Sequence, residues 1–261
     1  MSQRLPQNPR ARAKSAVALV LTFAAGTVDI VGYLAIFHLF AANMTGNTVH
    51  VGHYLVIGEW REAAKAGSII CSFVAGSILA RSFIEIGSRK RLRSVASFAL
   101  FIEAVLILSV VWLGPVNQAH AESLSLWAMC WMLSLLALAM GLQTATLTRI
   151  GPLTIHTTFV TGMLNKMAQG VSEWLFWLHD QWKQNARWSD IVHRSPQVQS
   201  FRAAWFTFAI WVCYLLGSVT GTWMNSLWGT RALYLPVVLM TAAIAVDQFQ
   251  PLTVEEEKEQ S

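Results

Sequence analysis

The chain has 261 residues, of which 54% are hydrophobic and 13% are charged, and its formal net charge is +5. Soluble domains carry roughly 25% charged residues, and here the shortfall falls in long apolar blocks whose length suits bilayer crossings. The basic residues lie beside those blocks and form no continuous face. Composition and charge therefore argue against a soluble domain and against nucleic-acid binding, and they predict a membrane protein.

The first half is predicted to contain three membrane spans and one shorter segment that begins with a polar turn. A basic tail covers residues 1–15. The apolar run after it is too long for the roughly 7–15-residue core of a signal peptide, so it is expected to remain as a span. The polar turn at 43–47 leads into a weakly apolar stretch at 48–57. The predicted spans of this half lie at 16–39, 66–86 and 95–113.

The second half follows the same order after a link at 116–123. Its first span is followed by a turn at 161–162 and an apolar stretch at 163–178, and then by a polar loop at 179–202. An acidic tail at 249–261 is expected to be disordered. The predicted spans of this half lie at 124–147, 203–224 and 232–246.

The distribution of Lys and Arg decides how many segments cross the bilayer. If the stretches after both turns crossed, giving eight spans, the basic cluster at 89–93 and Arg149 would lie outside. If neither crosses, giving six spans, the N-terminal tail, that cluster, Arg149 and the basic residues of 183–202 all lie inside. Basic residues in short loops favour the inside. Six spans are therefore predicted, with both termini in the cytoplasm.

Three spans in each half would insert the second half upside down relative to the first, and an echo of segment 71–77 in 213–218 supports this repeat. The predicted fold is an all-α integral membrane protein. Its six transmembrane helices form two inverted three-helix repeats, each with a short re-entrant or broken helix after its first span. Such an arrangement is typical of secondary transporters. The repeats are expected at 16–115 and 124–248.

Two acids, Asp29 and Glu103, lie away from the ends of predicted spans, where a charge costs at least about 2.5–3.5 kcal/mol. Asp29 suits a proton carrier or counter-ion. The same position also suits a hydrogen-bonded acid that holds the first span to the turn after it. Glu103 lies midway along its span with only apolar neighbours in sequence, so it is a candidate binding residue without an obvious partner.

The two turns supply most of the other candidate residues. Thr and Asn cap helix starts, Gly permits close approach of a ligand, and a helix start favours an anion. The same residue types are equally expected in a tight turn at the membrane surface. The glutamine in the second half also suits interhelical hydrogen bonding. The candidate substrate-binding residues are Gly26, Asp29, Asn43, Thr45, Gly46, Asn47, Glu103, Gln143, Thr161 and Gly162.

No metal site and no cofactor is predicted. His50 and His53 share a helical face, but the sequence places no third ligand beside them. The three cysteines lie inside apolar runs and have neither metal-ligand nor disulfide spacing.

The segments 26–33, 43–47, 141–143 and 160–162 resemble the YoaK-like family of bacterial inner-membrane proteins, a domain of unknown function. The resemblance covers about 16–246. It implies a polytopic protein of the bacterial inner membrane and adds no reaction or substrate. The second turn has Met163 where the first has Asn47, so the two turns are not chemically equivalent.

The leading functional prediction is a secondary transporter or permease for a small solute, in one version an anion, with proton coupling through Asp29. A non-transporting membrane scaffold or sensor is the alternative. An enzyme is not expected, since the sequence holds no nucleophile–base motif, metal set or haem ligand pair. The expected partners are the lipid bilayer and a small solute. Homo-oligomerisation is left open.

Overall fold

The structure, a computed structural model, describes residues 9–90, 95–114, 126–146, 149–150, 153–154, 157–184 and 186–249. Several features of interest fall outside these ranges. They are the basic residues Arg91 and Arg93, the link at 116–123, His156 and the acidic tail.

The first half forms four helices and a short π-helical turn. The fourth helix has the bounds predicted for the third span, whereas the first helix begins earlier than expected, at Pro9, and includes part of the basic tail. This helix passes into a π turn and ends at His38, whose φ is 56°. The elements are α1 (Pro9–Gly32), the π turn (Tyr33–Phe37), α2 (Met44–Val56), α3 (Trp60–Arg89) and α4 (Val95–Leu113).

The described residues of the second half form five helices, two short 3-10 turns and a two-residue antiparallel ladder. The prediction of a polar loop at 179–202 is wrong, because most of that stretch is helical. Its polar residues occupy the exposed end of a long amphipathic helix and one short helix. The elements are α5 (Leu126–Thr146), β1 (Arg149–Ile150), β2 (Leu153–Thr154), α6 (Val160–Lys183), α7 (Trp188–Arg194), a 3-10 turn (Ser195–Gln197), α8 (Gln199–Trp228), a second 3-10 turn (Gly229–Leu233) and α9 (Tyr234–Phe249).

Within the described residues, five helical stretches are long and apolar enough to cross a membrane. The last of them contains 51 residues and includes both α8 and α9. It is broken at Gly229, where φ is 56°. Neither α2 nor α6 is among the five. The five stretches are Arg12–Ile36, Trp60–Arg89, Val95–Leu113, Trp127–Thr146 and Gln199–Phe249.

Helices α1 and α8 pack at backbone contact through glycines. A Cβ on Gly26 would overlap the carbonyl oxygen of Tyr214, and a Cβ on Gly217 would overlap that of Phe23. The Ser218 hydroxyl donates to the Gly26 carbonyl at 3.3 Å. Small residues that let helix backbones approach in this way are typical of membrane helix interfaces.

Helices α3 and α5 meet in the same manner. A Cβ on Gly76 would overlap the carbonyl oxygen of Leu138, and a Cβ on Gly141 would overlap that of Phe73. The Ser77 hydroxyl donates to the Gly141 carbonyl, again at 3.3 Å. Each crossing therefore has two glycines, two backbone carbonyls close to them, and one serine hydroxyl that donates to a glycine carbonyl.

Two other helix pairs run in opposite directions. Ser97, near the start of α4, lies against Asp247, near the end of α9. Gly114, just after α4, lies against Thr230, in the 3-10 turn that precedes α9. In α1 and α5, Gly32 lies against Leu133 and Leu136, whereas Leu21 is hydrogen bonded to Gln143. Of the two helices that follow the turns, α2 packs on α3 and α6 packs on α8.

Candidate functional site

Asp29 joins α1 to the first turn and to α8. Its Oδ1 accepts the backbone N–H of Ala42 at 2.8 Å, and its Oδ2 accepts the hydroxyl of Tyr214 at 2.5 Å. The side chain is buried. These contacts correspond to the second role expected from the sequence, an acid that holds the first span to the turn. They also place Asp29 where a change in its charge alters how tightly that turn is held.

The first turn is closed by its own asparagines. The Asn47 amide donates to the Phe40 carbonyl at 2.7 Å, and its Oδ1 accepts the Phe40 N–H at 3.0 Å. Asn43 is the N-cap of α2, and its side chain accepts the Gly46 N–H at 3.2 Å. The prediction that this segment starts a helix is confirmed. Thr45 is exposed at the surface of that start.

In both turns the glycine lies close to the side chain of the residue three positions earlier. A Cβ on Gly46 would lie 3.1 Å from the Asn43 amide nitrogen, and a Cβ on Gly162 would overlap the ring of Phe159. Close packing within the turn therefore favours a small residue at both positions. Thr161 is exposed, as is its counterpart in the first turn.

The second turn is tied to α5 by hydroxyl groups. Thr144 and Thr158 share a hydrogen bond at 2.5 Å between their hydroxyl oxygens. The Gln143 amide donates to the Thr157 hydroxyl and to the Leu21 carbonyl of α1, both at 3.0 Å. Its Oε1 is buried and has no hydrogen-bond partner among the described residues. Gln143 therefore joins α5, α1 and the second turn, with one acceptor left over.

The first turn is thus bonded to α1 directly and the second only indirectly. Asp29 of α1 bonds the first turn, whereas Gln143 of α5 bonds both the second turn and Leu21 of α1. Asp29 and Leu21 are eight residues apart, which is about 12 Å along a helix. The first of these positions lies near the end of α1 and the second near its middle.

Glu103 stands apart from this arrangement. It lies on α4, its side chain is 0% exposed, and neither of its carboxyl oxygens has a hydrogen-bond partner among the described residues. His50 and His53 lie near Tyr54, with ring centroids 5.9 and 5.5 Å from that ring. Within the described part of the chain, no group of three or more His, Cys, Asp or Glu residues is arranged to hold a metal ion.

Sequence reasoning missed four side chains at the turns. Thr144 follows Gly141 by three positions, as Asp29 follows Gly26, so spacing from the glycine would have found it; the chosen residue, Gln143, lies one position earlier. Tyr214 and the two threonines of the second turn had no such local signal. The missed residues are Thr144, Thr157, Thr158 and Tyr214.

Comparison with known proteins matches residues 17–246 to a family described as "Protein of unknown function (DUF1275)". The chain is also similar to the "UPF0700 transmembrane protein YoaK" of Bacillus subtilis (strain 168). The two are 29% identical over 159 residues, which cover 60% of this chain and 67% of that protein. No solved structure matches.

Proposed function

The chain belongs to the DUF1275 family and is a membrane protein, and from this premise we propose that it is a secondary transporter or permease for a small solute. In this proposal it lies in the bacterial inner membrane with both termini in the cytoplasm. It crosses six times as two inverted three-span repeats, and α2 and α6 do not cross. The solute binds between the two turns, beside α1.

Helix directions support six crossings. Six crossings in which α2 and α6 do not cross make α1 antiparallel to α5 and α4 antiparallel to α9. Eight crossings, with α2 and α6 included, would make both pairs parallel. The contacts of Gly32 and Leu21 with α5, and of Ser97 and Gly114 with the α9 side, agree with six.

Matched packing supports the repeat. The α1–α8 and α3–α5 crossings use glycines at corresponding places, and each adds a serine hydroxyl bonded to a glycine carbonyl at 3.3 Å. A rotation that exchanges the two halves would exchange these crossings. An axis of this kind in the membrane plane relates inverted repeats in transporters.

The observation that carries the proposal is that both helix-starting turns are tied to α1 at positions about 12 Å apart, the first at Asp29 and the second at Leu21 through Gln143. Interrupted backbone inside a membrane is tolerated where it is buried in protein or lines a water-filled cavity. Alternating access needs a site that can be approached from either side, and the two turns provide one approach each.

An anionic solute fits the second turn better than the first. The Ala42 amide beside the first turn already binds the Asp29 carboxylate. Helix α6 begins at Val160 and has Phe159, which is uncharged, as its N-cap residue. The partial positive charge at a helix start favours an anion.

Proton coupling through Asp29 follows from its two hydrogen bonds. An ionised carboxylate offers acceptors on both oxygens, whereas a protonated carboxyl becomes a donor on one of them. Proton uptake therefore weakens the hold on the Ala42 amide or on the Tyr214 hydroxyl. Loosening of the first turn then depends on the proton.

The test is solute uptake into proteoliposomes with and without an imposed pH gradient. The solutes are inorganic phosphate, sulfate, small carboxylates and neutral amino acids. We expect at least one to accumulate in a gradient-dependent way with the wild type and with Glu85→Gln, which changes an exposed acid on α3. Asp29→Asn should abolish the gradient dependence. Full gradient-driven uptake by Asp29→Asn would refute coupling through this residue.

A non-transporting scaffold or sensor is the second candidate, favoured by how completely the first turn is closed by its own hydrogen bonds. Single cysteines introduced along 26–33 discriminate between the two. Under the transporter proposal, water-soluble maleimides label positions near Asp29, and labelling changes with solute. Uniform protection of the whole segment favours a scaffold.

A further inference from the structure

One acid is buried in the membrane-spanning part without a hydrogen-bond partner. Glu103 lies in the middle of α4 and is 0% exposed, and both of its carboxyl oxygens lack a partner among the described residues. Asp29 differs, because each of its oxygens accepts a hydrogen bond. The carboxyl oxygens of Asp29 therefore have hydrogen-bond partners, whereas those of Glu103 have none among the described residues.

No basic residue lies on the elements that cover most of Glu103's helix. Helix α4 packs chiefly against α5 and α9, and within their bounds α4, α5 and α9 contain no Lys, Arg or His. The acid on α9, Asp247, accepts hydrogen bonds from the N–H and hydroxyl of Ser97. Ser97 is six residues from Glu103, about 9 Å along the helix. Asp247 therefore accepts its hydrogen bonds at the start of α4, away from Glu103.

The other titratable groups on neighbouring elements lie elsewhere. Arg231 and Tyr234 are exposed beyond the far end of α4, where Thr230 meets Gly114. Helix α3 meets α4 near its start, where Phe83 contacts Phe98, and its charged residues there are exposed. Helix α5 adds a cysteine that lies near charged residues of α3. These groups are, in order, Arg231, Tyr234, Arg81, Glu85, Arg89 and Cys130.

We propose that Glu103 is a proton-binding site, which holds a proton on its carboxyl in this conformation and exchanges it when α4 moves relative to α5 and α9. An ionised carboxylate with neither a cation nor hydrogen bonds cannot be kept in an apolar interior, whereas the neutral acid can, at lower cost. An apolar residue would fill the same volume without that cost. An acid is of use here only because it can change its charge.

A proton fits this site better than a metal ion. Hard cations need several oxygen ligands, and the described residues provide no cluster of acids, histidines or cysteines that could supply them. A single carboxyl is sufficient for a proton. The exchanging step is then transfer of one proton between the Glu103 carboxyl and water that reaches it in a second conformation.

This inference deepens the proposed function by adding a protonation site separate from Asp29. Its test requires no transported solute, so the two can fail independently. Dicyclohexylcarbodiimide, an apolar reagent, modifies protonated carboxyls in membranes. The carboxyl proton moves to a nitrogen of the reagent, the carboxylate oxygen bonds to its central carbon, and rearrangement leaves a stable N-acylurea.

The experiment treats the purified protein in lipid vesicles with this reagent over a range of pH and maps the adduct by peptide mass spectrometry. We expect modification at Glu103, falling about tenfold per pH unit above its midpoint. Asp29→Asn should retain that adduct and Glu103→Gln should lose it. Mapping in the wild type needs no variant to fold. Absence of the adduct on Glu103 at every pH, or modification that does not vary with pH, would overturn the proposal.

Discussion

The hydrogen bond between Tyr214 and Asp29 gives the sharpest test of the site. The two oxygens are 2.5 Å apart, both residues lie inside the helix bundle, and they are 185 positions apart in the chain. Tyr214→Phe removes the hydroxyl and keeps the ring. The backbone contact of Tyr214 with Gly26 involves its carbonyl, so the helix crossing is preserved.

The expected cost of Tyr214→Phe follows from two limits. Hydrogen bonds to charged groups contribute about 1.5–3 kcal/mol in proteins generally. Hydrogen bonds between membrane helices average about 0.6 and reach about 1.7 kcal/mol. Because the bond is short and buried, we expect about 1.5 kcal/mol, or roughly tenfold in the unfolding equilibrium. The other oxygen of Asp29 keeps its bond to Ala42. We therefore expect the loss of unfolding free energy to lie at the lower end of the range for bonds to charged groups.

A double-mutant cycle separates this bond from other effects of the two substitutions. The free energy of unfolding is measured in mixed detergent with increasing SDS for the wild type, Tyr214→Phe, Asp29→Asn and the double variant. We expect a coupling energy of about 1 kcal/mol, since residues in direct contact couple. Tyr234→Phe, on an exposed tyrosine, should cost nearly nothing. Additivity of the two substitutions within about 0.3 kcal/mol would refute the bond.

Three further substitutions test the packing and the turns by thermal unfolding in detergent. Gly26→Ala forces a methyl group into a carbonyl of α8 and should cost about 1–3 kcal/mol, whereas Gly67→Ala meets open space and should be neutral or stabilising by up to about 1 kcal/mol; equal effects would contradict the close crossing. Asn47→Leu removes two hydrogen bonds to the Phe40 backbone and should cost about 2–4 kcal/mol of unfolding free energy. Asn43→Ala removes an exposed helix cap and should cost about 1 kcal/mol. A larger loss for Asn43→Ala than for Asn47→Leu would contradict the closure of the turn by Asn47. Thr144→Val should cost about 1 kcal/mol and increase proteolysis of the second turn, and unchanged proteolysis would count against that tie.

The length of the apolar runs and the glycines next to them were sufficient to predict several helices. Helix α4 has the predicted bounds of 95–113, because a mainly apolar run ends at Gly114. The start of α2 was predicted at Thr45, Gly46 and Asn47 from their capping tendency, and the helix does start there, although its N-cap is Asn43 and those three residues lie in its first turn. Runs of this kind determine local structure directly, since the backbone of a membrane span must satisfy its own hydrogen bonds.

Polar helices were harder to predict than apolar ones. The stretch at 179–202 was expected to be a loop because it is rich in charge, but α6 continues to Lys183 and α7 follows. Amphipathic helices at a membrane surface have polar faces and low mean hydropathy. Hydropathy therefore identified the long apolar helices and missed the more polar helical residues of this stretch.

Partners across the fold were not predictable from local pattern. The expectation that Asp29 holds the first turn agrees with its bond to Ala42, thirteen residues away. Its second partner, Tyr214, comes from α8 and becomes apparent only when Gly26 and Gly217 bring the two helices together. The whole set of candidate binding residues stays a prediction until a bound solute is found.

The two glycine-lined crossings share a backbone plan but not a chemistry, and this difference bears on mechanism. Counting three residues from each glycine, Asp29 in α1 corresponds to Thr144 in α5, and Tyr214 in α8 corresponds to Phe73 in α3. Each of Asp29 and Thr144 is bonded to its turn. An acid–tyrosine pair responds to pH, whereas a threonine beside a phenylalanine does not. If the turns open alternately, a proton on Asp29 can govern only the first turn directly. The second turn must then follow through α1 and Gln143, which bonds α1 and that turn.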